Sequence, residues 1–121
     1  MQELTGERVL MRIHISESDK YGGEPLSTRI VALLREMHFA GATLFRGAMS
    51  FGPDATLHTD RIELMSLDLP LVIECVETEA KIRKVLPDLD RMIGGGLITL
   101  ERANVILYRS GPAGETSSDE Q

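Results

Sequence analysis

Gly94-Gly95-Gly96 is the segment whose residue types point most directly to chemistry. Successive residues without side chains let backbone N–H groups come close to an anion, which is how glycine-rich loops hold phosphates. The alternative reading of the same run is a helix stop and a turn with no ligand. Three further positions carry groups suited to the rest of a nucleotide. Arg109 brings a cation able to neutralise a phosphate, although an arginine at a polar chain margin is ordinarily solvated. Thr43 offers a hydroxyl to a base or ribose, or simply fills a β position that threonine favours. Arg46 stands in a small, apolar strand, where it either reaches a ligand or pairs with Glu74 across the sheet. Pairing is the favoured reading, because Glu74 lies in an apolar run and needs a partner if buried.

Other chemistries are poorly supplied. His14, His38 and His58 show no tight ligand spacing and Cys75 is the single cysteine. A zinc site gathers about four N, S or O ligands, so no metal ligands are assigned. No nucleophile has a base adjacent to it, so no catalytic residue is assigned and a non-enzyme is expected; sequence spacing does not reveal a site formed between subunits. The net charge of −6, from 13 basic and 19 acidic residues, argues against nucleic acid and against anionic membrane surfaces as partners. No secretory or membrane-spanning segment is visible, so a cytoplasmic location is expected.

The elements that must hold these residues follow from hydropathy. The 121 residues suit a single domain; with 42% hydrophobic residues, 4% aromatics and no tryptophan, its core is aliphatic. Val9, Met11, Ile13 and Ile15 alternate as a first strand. Residues 16–24 form a polar loop, and Pro25 suits the first turn of a helix whose apolar stripe is Leu26, Ile30, Leu33, Leu34 and Met37. Residues 41–49 read as a second strand, 50–61 as a mobile loop, and 69–76 as a third strand. Thr78 caps a second helix with Ile82, Val85, Leu86, Leu89 and Ile93 on its buried face; Pro87 should kink it. Residues 98–109 form the last strand, irregular near Glu101-Arg102, and 110–121 a disordered tail.

This order predicts an α+β, ferredoxin-like βαββαβ sandwich: a four-stranded antiparallel sheet with two helices on one face. The other face would be bare, yet Leu10, Val72, Val76 and Ile106 are candidates for it. Apolar residues on both faces of a half-covered sheet call for another layer, and further subunits are its source.

Several motifs now stand out together: Glu17-Ser18-Asp19-Lys20-Tyr21-Gly22-Gly23 with Pro25-Leu26, Gly41-Ala42-Thr43, Arg46-Gly47, Phe51-Gly52, Asp68-Leu69-Pro70 and Gly96-Leu97-Ile98-Thr99. Through them the sequence resembles the PII-like family known as domain of unknown function 190, over residues 8–109. The resemblance to the wider PII superfamily implies homotrimers with inward-facing sheets and adenine nucleotides bound in clefts between subunits. It also implies a loop after the second strand, here 50–61, that touches a partner such as a transporter, channel or enzyme. Thr43, Arg46, Gly94, Gly95, Gly96 and Arg109 are the implied ligand residues. Leu97 and Leu107 stand where signalling relatives carry a lysine and an arginine; with fewer cations for a triphosphate, AMP or ADP is favoured over ATP. A divalent-metal-binding CutA-like trimer and a small nucleotide hydrolase with an intersubunit site are the alternatives.

Overall fold

The computed structural model describes residues 4–47 and 68–111. Strand β1 (Gly6–Ser16) is followed by the short strands β2 (Lys20–Tyr21) and β3 (Glu24–Pro25) and helix α1 (Leu26–Glu36). Then come β4 (Thr43–Arg46), β5 (Pro70–Glu77), helix α2 (Glu79–Met92) and β6 (Leu97–Val105). The main sheet has the order β4-β5-β1-β6, with every neighbouring pair antiparallel. Both helices pack on one face, as the hydropathy pattern predicts. The expected loop 50–61, with Phe51 and Leu57, lies outside the described residues, as do positions 112–121 of the expected tail.

The core forms where the strand period of two meets the helical stripes. Met11, Ile13 and Ile15 of β1 and Leu71, Ile73 and Cys75 of β5 are buried against Leu26, Ile30 and Leu34 of α1 and Ile82, Val85, Leu89 and Met92 of α2. The alternate positions of the same strands, Leu10, Arg12 and His14 with Val72, Glu74 and Val76, are only partly buried. Cross-strand register places Leu10 opposite Val76 and Val72 beside His14 and Phe45. Three of the four apolar residues expected on the face opposite the helices are therefore there, and among the described residues no helix covers that face.

Local differences from the sequence reading have local causes. Pro25 has ψ 132, so it precedes the first helical residue of α1 instead of occupying its first turn. The polar loop 16–24 contains a tiny hairpin, because Gly22 (φ 61) and Gly23 (φ 83) allow the tight turn that needs two positive φ values. Helix α2 runs from Glu79 to Met92 as one element with Pro87 inside it. Thr78 caps it as expected, accepting from the Lys81 N–H at 3.4 Å. Strand β6 pairs regularly through Glu101 and Arg102, without the expected irregularity, and stops at Val105 because its partner β1 begins at Gly6. Ile106 and Arg109 consequently lie past the strand, and Ile106 is exposed.

Helix α1 ends in a complete left-handed cap. The His38 N–H donates to the Arg35 carbonyl and the Phe39 N–H to the Leu34 carbonyl, each at 3.0 Å, with His38 at φ 62. This is the Schellman arrangement with histidine where glycine is usual. A side chain there costs about 1–2 kcal/mol, partly offset by glycine's greater freedom when unfolded. His38→Gly should therefore raise stability by about 0.5–1 kcal/mol, read as a higher urea midpoint with an unchanged m-value.

Candidate functional site

The strands divide the candidate residues between two ends of the sheet. At one end, β4 finishes at Arg46, β1 at Ser16, and β6 begins just after Gly96. At the other, β4 begins at Thr43 and the chain leaves β6 towards Tyr108 and Arg109.

The Thr43 end holds a cavity of about 380 Å3. Leu10, Val76 and Glu74 form its sheet side, Ala40 to Thr43 its rim, and Leu4 and Tyr108 its flanks. It opens on the bare face, since Thr43 is paired with Glu74 and paired residues share a face. Glu74 is held by Arg12, whose Nε donates to Oε2 at 2.8 Å, while Arg12 Nη1 reaches Glu101 Oε1 at 3.3 Å. The Glu74 hydrogen bond is the largest influence raising the Arg12 guanidinium above its usual range.

Cys75 borders the same cavity but is 4% exposed. Burial pushes its thiol up to about 12, with the carboxylates of Glu77 and Glu74 adding to the effect. The folded state thus keeps a proton that the unfolded chain releases from an ordinary value of 9.0. Its contribution to stability is full below about pH 9 and is lost as pH rises towards 12. With so little thiolate, Cys75 should react with iodoacetamide at pH 8 at least about a hundredfold more slowly in the folded protein than in denaturant, as followed by mass spectrometry.

The Arg46 end is built from chain segments far apart in sequence. Ser16 Oγ and Ser18 Oγ both donate to Asp68 Oδ1, at 2.8 and 2.7 Å. The Glu17 N–H donates to the Leu69 carbonyl and the Gly47 N–H to the Pro70 carbonyl, both at 2.8 Å. Asp19 Oδ2 accepts from the Ser16 N–H at 2.9 Å. A Cβ on Gly47 would come within 2.7 Å of Pro70 Cγ, so this close approach requires glycine. Arg46 forms an ion pair with Glu17.

That pair corrects the expected partnership of Arg46 with Glu74. Arg46 lies opposite Leu71, three residues from the Thr43–Glu74 pair, and an odd offset along a strand places a side chain on the other face. Arg46 is thus on the helical side and Glu74 on the bare side, where Arg12 satisfies it.

The glycine run is also at this end, but at the opposite edge. A Cβ on Gly96 would lie 2.6 Å from the His14 carbonyl oxygen, while Gly94 and Gly95 have nothing within 4 Å. With three strand spacings of about 4.8 Å between the edges, Arg46 and Gly96 are roughly 14 Å apart. The run follows the C-terminus of α2, whose dipole disfavours anions. A phosphate there must be held by loop N–H groups and by cations brought from elsewhere.

Comparison with known proteins places this architecture. Residues 8–105 match the DUF190 family, described as an uncharacterized ACR. The chain belongs to this family. A UPF0166 protein of Methanocaldococcus jannaschii is 34% identical over 97 residues, covering 79% of this chain and 89% of that protein. A UPF0166 protein of Aquifex aeolicus is 34% identical over 99 residues, covering 82% and 97%. Among solved structures, CPII from Thiomonas intermedia K12, bound to ADP and bicarbonate, superimposes with a TM-score of 0.54 at 14% identity, covering 82% of this chain and 88% of that one. At that identity the likeness is one of fold.

Within this DUF190 chain the motifs that carried the resemblance sort by position. Glu17 to Asp19, Arg46-Gly47 and Asp68 to Pro70 meet in one corner, whereas Gly41 to Thr43 borders the cavity. Sequence reasoning passed over the hydroxyl–carboxylate bonds to Asp68, the Glu17–Arg46 pair and Tyr108 at the cavity flank. The motifs containing Glu17 and Asp68 were visible, but their meeting depends on strand order. Among the described residues no group of three or more His, Cys, Asp or Glu side chains is placed to hold a metal, and no helix is long and apolar enough to cross a membrane.

Proposed function

We propose that this chain is a PII-like regulatory protein that binds an adenine nucleotide, AMP or ADP in preference to ATP, in clefts between the subunits of a homotrimer. It signals through segment 50–61 to a partner protein such as a transporter, channel or enzyme, and it is not itself an enzyme. The observation that carries this reading is the separation of the candidate residues within one protomer. From Thr43 to Gly96 is three strands across and about 10 Å along, a diagonal of roughly 17 Å. A nucleotide whose base sits beside Thr43 reaches a glycine loop most directly if that loop belongs to a second copy set against the bare face. Leu10, Val72 and Val76 on that face give a second copy apolar surface to cover. The ADP carried by CPII, a protein of the same fold, supports the ligand class.

Calorimetric titration with AMP, ADP and ATP, with light scattering on the same sample, tests both parts. AMP or ADP should bind more tightly than about 1 mM, a free energy near −4 kcal/mol, to a particle of three chains. Val72→Glu places a charge in the apolar surface between copies, where an unpaired charge is costly, and should reduce the particle to one chain and abolish binding. A monomeric wild-type protein, or no binding by any of the three nucleotides, rejects the reading. Phosphate release from the bound nucleotide would favour the hydrolase alternative.

A further inference from the structure

We propose that the cavity beside Thr43 is the base pocket and that Glu74 is its specificity-determining residue, accepting a hydrogen bond from the exocyclic amino group of the purine. This rests on the nucleotide reading above and adds to it a named discriminating contact.

The cavity's volume of about 380 Å3 falls in the range of small-ligand pockets. Its walls are apolar where Leu10 and Val76 form the sheet side, which suits the faces of a planar ring. Among its lining residues only Thr43, Tyr108, Cys75 and Glu74 have polar side chains, and the Cys75 thiol is a weak hydrogen-bonding group. Both hydroxyls can donate or accept, so neither selects the pattern of a base edge by itself. A carboxylate accepts only, so Glu74 selects for a donor.

Arg12 makes Glu74 suitable for this role. Its Nε hydrogen bond to Oε2 at 2.8 Å holds one carboxylate oxygen in place, and a carboxylate has about four acceptor sites in all. The carboxylate is thereby anchored without exhausting its accepting capacity. The guanidinium also offsets its negative charge, so that an anionic nucleotide is not repelled from the pocket. Glu101, 3.3 Å from Arg12 Nη1, holds the guanidinium from the other side. The ion pair spans β5, β1 and β6, and its loss would be felt by the ligand through Glu74. On this arrangement Arg12 is a positioning residue and Glu74 the group that touches the base.

The test compares AMP with purine riboside 5′-monophosphate, which replaces the amino group by hydrogen and is otherwise unchanged. Dissociation constants are measured by calorimetry for the wild type, Glu74→Gln and Glu74→Ala, and light scattering confirms that each keeps the wild-type mass. In the wild type AMP should bind about tenfold more tightly, as expected for one charge-assisted hydrogen bond. The ratio should fall to about one in Glu74→Ala and be partly retained in Glu74→Gln, whose amide oxygen still accepts. Equal affinity for the two ligands in the wild type overturns the proposal without need of any variant. A tenfold ratio that survives in Glu74→Ala also overturns it. If neither ligand binds the wild type, the nucleotide reading itself fails, and the two failures are thereby told apart.

Discussion

Alanine in place of Gly96 should lower the unfolding free energy by about 2–4 kcal/mol, while alanine at Gly95, one residue earlier, should change it by no more than about 0.5 kcal/mol. Gly96 combines two constraints. Its φ of 156 lies in a region that side chains rarely adopt, and an added Cβ would stand 2.6 Å from the His14 carbonyl oxygen and 3.1 Å from Ile93 Cγ2. The carbonyl belongs to the backbone of a central strand, so it cannot move aside without disturbing the sheet. Gly95 meets nothing within 4 Å, and its replacement even removes some unfolded-state freedom. Urea denaturation of the two variants separates these outcomes. The pair also divides the glycine run by role: Gly96 is required by packing against β1, so a loss of ligand binding in a stable Gly95→Val variant would belong to the loop's contact with phosphate. Equal stability of the Gly95 and Gly96 variants would contradict this division.

The second large effect concerns Glu77, the fully buried carboxylate at the end of β5. Its Oε1 accepts from the Ala40 N–H at 2.9 Å and its Oε2 from the Thr78 N–H at 3.1 Å. One side chain thus joins the α1–β4 connection to the start of α2. A negative group beside a helix N-terminus is also favoured by the helix dipole. Glu77→Ala leaves both donors without this acceptor, and hydrogen bonds to charged groups contribute about 1.5–3 kcal/mol each. The expected loss is about 3 kcal/mol, with Glu77→Gln losing roughly half of that because one oxygen remains. Thermal or urea unfolding measures both. Because Ala40 borders the cavity, Glu77→Ala should also increase hydrogen exchange at Ala40 to Thr43, which a loss of core packing elsewhere would not single out.

Strand and helix identity were legible because each rests on neighbours in the chain. The alternation of Met11, Ile13 and Ile15 and the stripe of Ile82, Val85 and Leu89 follow from periods of 2 and 3.6. The order of these elements then leaves few antiparallel arrangements of four strands. The bare face with Leu10, Val72 and Val76 followed from the same alternation. The end of β6 was not legible: Ile106 to Arg109 continue a strand-like composition, and only the start of β1 at Gly6 deprives them of a partner. Ion-pair partners were hidden for a related reason. Arg46 and Glu74 are compatible charges on adjacent strands, but register decides which face each occupies, and a single-residue difference reverses it.

The sequence alone therefore determined the family, the βαββαβ order and the composition of the core, since these are written in local periodicity and contiguous motifs. Tertiary structure decided the partners: Glu17 for Arg46, Arg12 for Glu74, Asp68 for Ser16 and Ser18, and the His14 backbone as the reason for Gly96. Each of these contacts joins residues brought together by strand order and register, and at such separations the closing of the chain, rather than its local propensity, fixes what meets.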